Sequence, residues 1–161
     1  MRTFKFIFSL ILSLVFLACE GEKRAELGKE APPILAKNLR GEAVKLSDFD
    51  QRLKIIVFFE NGCAACIKEL PLLDEFVENN QDKIVVLAIN SVDEKEVINS
   101  IKERFKLKHI MLLKDDLDIS WQRYAVFALP TTFIIKDDIV QEKIIGDKPW
   151  QSLQEKLLSL L

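Results

Sequence analysis

The stretch from Lys54 to Pro71 reads KIIVFFENGCAACIKELP, and its two halves decide the fold. The first half, KIIVFF, is an unbroken apolar run rich in β-branched and aromatic residues, the pattern of a central strand buried on both faces. Two cysteines follow almost at once, Cys63 and Cys66, with only Ala64 and Ala65 between them. From there Cys66, Leu70, Leu73 and Val77 recur at helical spacing, which predicts a helix to about Asn80. Pro71 falls inside that helix, where its ring opposes the carbonyl of Ile67 and a kink is expected. A cysteine pair therefore stands where a buried strand gives way to a helix.

That position has chemical consequences. Free N–H groups and the aligned peptide dipoles at a helix N-terminus favour negative charge. They lower a thiol pKa from about 8.5 towards ~3.5–7.5, and the thiolate is the nucleophile. The spacing across one helical turn brings both sulfurs within bonding distance, so Cys63 is expected to attack and Cys66, one turn deeper, to resolve. Two plainer readings compete. As a structural staple the pair is poor, because so short a loop restrains the unfolded chain little. A structural zinc site needs four ligands, and the chain has a single histidine, His109, far along the sequence. No metal and no other cofactor is expected.

Outward from this stretch the pattern alternates strands and helices. NLRGEAVKLSDF (Asn38 to Phe49) has a turn at Arg40-Gly41 with alternating apolar residues, as in a short hairpin. KIVVLAIN (Lys83 to Asn90) reads as a second buried strand, followed by an amphipathic helix over Asp93 to Lys108 with Val97, Ile98, Ile101 and Phe105 inward. IMLLKDD is extended, and DISWQRYAV is a short helix. Trp121, Tyr124 and Phe127 are expected in the core, and Asp115, Asp116 and Asp118 at the helix start rather than around calcium. TTFIIK, a turn at Asp137-Asp138 and IVQEKIIG form a hairpin. A last helix from Asp147 to Pro149 onward buries Trp150, Leu153, Leu157 and Leu161. The class is α/β with a mixed sheet, its first two long strands parallel and its last two antiparallel.

The N-terminus differs from this domain. Arg2 and Lys5 precede twelve apolar residues, FIFSLILSLVFL, too few to span a bilayer as a helix of about 20 residues but suited to a secretory signal. VFLAC then resembles a bacterial lipobox ending in Cys19, although Leu17 and Phe16 depart from its preferred residues. Lipidation of Cys19, ordinary cleavage and an uncleaved anchor are the three readings, and each places the domain outside the cytoplasm. The expected division is a signal peptide over residues 1–18, a tether over 19–30 and a domain over 31–161. The net charge of −2 offers no field for nucleic acid.

LGKEAPP, NLRGEAVKLSDF, IIVFF, CAACIKELP and LPTTFIIKD together cover nearly all of Leu27 to Leu161. They resemble the thioredoxin superfamily, and within it the membrane-tethered thiol–disulfide oxidoreductases of TlpA/ResA type. The resemblance implies a thioredoxin fold, a mixed central β-sheet flanked by helices with an N-terminal β-hairpin extension. It further implies a cis Pro130 beside a redox-active Cys63–Cys66 pair, and a Leu129 backbone free to pair with a substrate chain. Glu69, three residues after Cys66, would tune or relay the proton of the resolving thiol. Client proteins with disulfides or CxxC thiols would be partners, among them an apocytochrome c or a copper-site assembly protein. A membrane thiol transporter of DsbD/CcdA type would supply electrons, and a lipid anchor would hold the protein on the periplasmic side of the envelope.

The chain departs from the family pattern in three places. Gly62 stands where relatives carry an aromatic before the first cysteine, which leaves the face around Cys63 less apolar for a substrate. Val57 replaces a buried strand aspartate, so Glu69 is the only nearby acid that the motifs offer. Ala64-Ala65 lacks the proline or charge common between the cysteines. A peroxidase is disfavoured, because Glu60 stands where the peroxidatic motif has Thr or Ser. The alternatives to a reductant are a disulfide donor and a tethered binding module indifferent to its cysteines.

Overall fold

A computed structural model describes residues 23–161, so Cys19 and the expected signal peptide over residues 1–18 lie outside the described residues. Seven strands form one sheet: β1 (Ala36–Asn38), β2 (Ala43–Val44), β3 (Leu53–Phe58), β4 (Ile84–Asn90), β5 (Met111–Lys114), β6 (Thr131–Lys136) and β7 (Ile139–Ile145). Four α-helices accompany them among the described residues: α1 (Ala64–Glu78), α2 (Lys95–Phe105), α3 (Ile119–Arg123) and α4 (Trp150–Leu160). The strand order is β2-β1-β5-β4-β3-β6-β7. β3 pairs parallel with β4 and antiparallel with β6, so the apolar run of the opening stretch lies at the centre. This is a thioredoxin-like fold, and the β1–β2 hairpin extends its sheet at the β5 edge; it starts at Ala36 and ends at Val44, and Leu46–Asp48, expected within it, forms a short 3-10 helix instead.

Alternation along β3 divides the core in two. Ile55 and Val57 face a layer built with Cys66, Leu70 and Leu73 of α1, Ile98 and Ile101 of α2, and Leu153 and Leu157 of α4. Ile56 and Phe58 face the opposite layer, where Tyr124, Phe133 and the N-terminal segment around Ile34 pack. Strand residues covered on both faces explain why the sequence shows a continuous apolar run there rather than alternation. α1 runs through Pro71 from Ala64 to Glu78. The β6–β7 turn places both Asp137 and Asp138 at positive φ, 50° and 63°, the combination a two-residue hairpin turn requires.

Buried polar groups fix the connections. Asp74 Oδ1 accepts the N–H groups of Lys108, His109 and Ile110 at 3.0, 2.8 and 2.9 Å, tying the end of α2 to α1. Tyr124 donates its hydroxyl to Pro32 O at 2.7 Å and so anchors the N-terminal segment. Residues 25–31 also dock: Ala25 N–H donates to Arg123 O, Gly28 N–H to Val140 O and Ala31 N–H to Asp138 O. Asp115 caps the start of α3 by accepting Trp121 N–H, while Asp116 pairs with Lys37.

Two expected core residues lie elsewhere. Tyr124 is fully buried, but Phe127 is 74% exposed. The spacing Trp121, Tyr124, Phe127 would place all three on one helix face only if the helix continued. It ends at Arg123, and Ala125 takes a left-handed φ of 45°, which turns Phe127 out. Leu161, past the end of α4, is also exposed, whereas Leu153 and Leu157 are buried as expected.

Candidate active site

β3 ends at Phe58 in the middle of the sheet, and the chain turns through Glu60–Gly62 into α1. The turn is held from both sides. Cys63 N–H donates to Glu60 O, and Asn61 N–H donates to Asp93 Oδ2 at 2.6 Å, across from the loop that follows β4. Asp93 is fixed in turn by Asn90, whose Nδ2 donates to the same carboxylate oxygen and whose Oδ1 accepts the Asp93 N–H.

Cys63 is the N-cap of α1, with extended backbone, and its Sγ accepts the Cys66 N–H at 3.1 Å. The two cysteines are joined by a disulfide. They differ in access: Cys66 is 1% exposed and packed in the core, while Cys63 is only half-buried. An incoming sulfur can therefore reach Cys63 and not Cys66. A negative charge on Cys63 would sit at the positive end of the α1 dipole with the Cys66 N–H directed at it.

The peptide bond Leu129–Pro130 is cis, and Thr131 begins β6 paired to Phe58, the last residue of β3. This register sets the cis proline beside the cysteine turn, and Leu129 packs against the same core layer as Cys63. Two bonds hold the loop: Thr131 Oγ1 donates to Ala128 O at 2.7 Å, and Gly146 N–H donates to Pro130 O at 2.8 Å.

Glu69 lies one turn after Cys66 on α1, facing a cavity of about 230 Å3 lined in part by Ala65, Lys68, Asp147, Lys148 and Trp150. Its carboxyl is pushed up to about 7, foremost by burial and further by the negative charge of Asp147, with the Thr132 hydroxyl acting against both. A carboxyl in that range can take or give a proton near neutral pH, which an ordinary glutamate cannot do efficiently. Gly62 is exposed and its φ is ordinary; a Cβ there would meet only Glu60 Oε1, at 3.6 Å. No steric reason requires glycine at that position.

The fold thus gathers Cys63, Cys66, Glu69, Gly62, Leu129 and Pro130 around the end of β3 and the start of β6. Asp147 and Thr132 join them: Thr132 lies within LPTTFIIKD but was given no role there, and Asp147 belongs to no motif. Thr132 was within reach of a sequence argument, since it sits two residues after Pro130. Asp147 was not, because only the β6–β7 hairpin and the packing of α4 return it to α1. Among the described residues no group of His, Cys, Asp and Glu is arranged to hold a metal ion.

Residues 27–143 match the model of the AhpC/TSA family. A thiol-disulfide oxidoreductase ResA from Bacillus cereus is 30% identical over 162 residues, which span 96% of this chain and 93% of the relative. Among solved structures, a protein described as a thiol:disulfide interchange protein DsbE from Chlorobium tepidum superposes with a TM-score of 0.76 at 20% identity. It covers 84% of this chain and 98% of its own. An exposed lipoprotein thioredoxin from Streptococcus pneumoniae gives 0.65 at 22% identity, over 80% and 99%.

Proposed function

The chain belongs to the AhpC/TSA family and is a thiol–disulfide oxidoreductase of ResA type, and from that premise we propose that it reduces client disulfides outside the cytoplasm. The observation that carries the mechanism is the unequal Cys63–Cys66 disulfide, one sulfur reachable at a helix N-terminus and the other buried. In the reduced protein, the Cys63 thiolate attacks one sulfur of a client disulfide. The Cys63–client bond forms and the client's second sulfur leaves as a thiolate. Glu69 takes the proton of Cys66, whose sulfur then attacks Cys63 Sγ and releases the client. Two electrons pass to the client and the Cys63–Cys66 bond closes. Leu129, before the cis Pro130, offers its backbone to the client chain, because no hydrogen bond of its N–H or carbonyl is formed within the described residues.

Cys19 holds the protein to the membrane through lipid, after residues 1–18 are removed, and the tether over 19–30, whose last residues dock on the domain from Ala25 onward, joins it to the domain over 31–161. The likeness to an exposed lipoprotein thioredoxin supports this placement. In an oxidising compartment the reduced form needs a source of electrons, and a membrane thiol transporter of DsbD/CcdA type fits that need. Clients of the matching chemistry carry paired cysteines, as an apocytochrome c or a copper-site assembly protein does.

The test is trapping in the full chain. Cys66→Ser accumulates a mixed disulfide between Cys63 and client, visible on non-reducing gels and absent from Cys63→Ser. A Cys63→Ser protein that retains its cellular activity would contradict the proposal and leave a tethered binding module.

A further inference from the structure

Asn90 is fully buried at the end of β4, and its side-chain amide is spent on the loop that follows. Its Oδ1 accepts the N–H groups of Val92 and Asp93 at 2.9 and 2.7 Å, and its Nδ2 donates to Asp93 Oδ2 at 2.8 Å. The carboxylate so held accepts Asn61 N–H at 2.6 Å, a short, charge-assisted bond. Among the described residues, no other hydrogen bond joins residues 60–62 to another part of the chain. Packing does not hold this stretch either, since Asn61 and Gly62 are exposed and the space around Gly62 is open. The turn before Cys63 is thus strung between Phe59, whose N–H donates to Ile89 O at 3.1 Å, and the start of α1. Asp93 is its lateral support, and Asn90 ties that support to the centre of the sheet.

We propose that Asp93 is a positioning residue for Cys63, acting through the Asn61 N–H, and that buried Asn90 orients it for that task. In the oxidised protein the disulfide itself ties Cys63 to Cys66. In the mixed disulfide with a client that tie is absent, and Cys66 must reach Cys63 Sγ in line with the departing client sulfur. How fast it does so depends on how often the two sulfurs meet in that geometry, which is their effective concentration. A turn that ends in an exposed glycine and has lost its support samples more conformations, so the effective concentration falls. The same quantity sets the dithiol–disulfide equilibrium. Loss of the support therefore disfavours the Cys63–Cys66 bond and raises the reduction potential. The inference rests on the exchange reaction proposed above.

Asp93→Ala and Asp93→Asn in the full chain, with a peptide disulfide as substrate, test it. Asp93→Ala is expected to slow release of the peptide from the Cys63 mixed disulfide about tenfold, and to raise the reduction potential by about 30 mV, the same tenfold read at equilibrium. Formation of the mixed disulfide needs Cys63 alone and is expected to change far less. Asp93→Asn keeps a side-chain oxygen for the Asn61 N–H and is expected to restore most of both quantities. Asn90→Ala leaves the carboxylate in place but unheld, and shifts both in the direction of Asp93→Ala. Asp74→Ala, which loosens the α2–β5 turn instead, is the control for a general loss of stability and should move neither. An Asp93→Ala protein with wild-type release and potential overturns the proposal. So does an Asp93→Asn protein no better than Asp93→Ala. Formation of the mixed disulfide by the wild type reports the exchange itself, so failure of exchange and failure of positioning are read apart.

Discussion

Replacing Glu69 by glutamine gives a stability difference that depends on pH in a defined way. The folded protein holds the Glu69 proton up to about 7, while the unfolded chain releases it near 4.5. Between those values the folded state binds the extra proton, so stability is full below 4.5 and falls as pH rises through 7. At ~1.4 kcal/mol per pH unit the displacement corresponds to about 3 kcal/mol, and the partial solvent contact of the side chain reduces this to about 2 kcal/mol. Glutamine has nearly the same shape and no proton to lose. Glu69→Gln should therefore match the wild type at pH 4 and exceed it by about 2 kcal/mol at pH 8. Urea unfolding of the oxidised proteins at several pH values measures the difference, and titrating groups that do not interact with Glu69 cancel between the two. A difference that stays flat from pH 4 to 8 would refute the reasoning, because Glu69 would then ionise as an ordinary carboxyl.

Other consequences follow from particular contacts. Asp147→Asn removes a negative neighbour of Glu69, so the Glu69 midpoint followed by carboxyl NMR should move to lower pH. Asp74→Ala leaves three N–H groups of the α2–β5 turn without their acceptor and should cost about 2–4 kcal/mol in urea unfolding, with the reduction potential unaltered. Tyr124→Phe removes the hydroxyl bond to Pro32 and should cost about 1–2 kcal/mol by the same measurement. Cys19→Ser, followed by cell fractionation, should move the protein from the membrane to the soluble fraction.

The parts of the fold that were legible are those in which local pattern and burial agree. KIIVFF and KIVVLAIN are continuous apolar runs because strands covered on both faces have no polar side, and they pair in parallel at the centre. The Asp137-Asp138 turn was legible because aspartate tolerates positive φ. Phe127 misled because helical spacing carries no information about where a short helix stops; a single left-handed residue at Ala125 sent it to the surface. At the site, the cysteines announced themselves through their place between strand and helix. The cis bond before Pro130 did not, since composition alone leaves most X–Pro bonds trans. Glu69 could be placed near Cys66 by helical spacing, but its burial, and Asp147 across the cavity, depend on contacts between segments far apart in the chain.

The central claim concerns the Cys63–Cys66 pair as a donor of electrons, and its reduction potential tests that most directly. Equilibrating the protein against thiol buffers of known poise gives the value. The account predicts about −270 mV or below, a dithiol able to reduce client disulfides once recharged. A value near −120 mV, on the order of the strong oxidants of the same fold, would contradict it and make the disulfide form the working species.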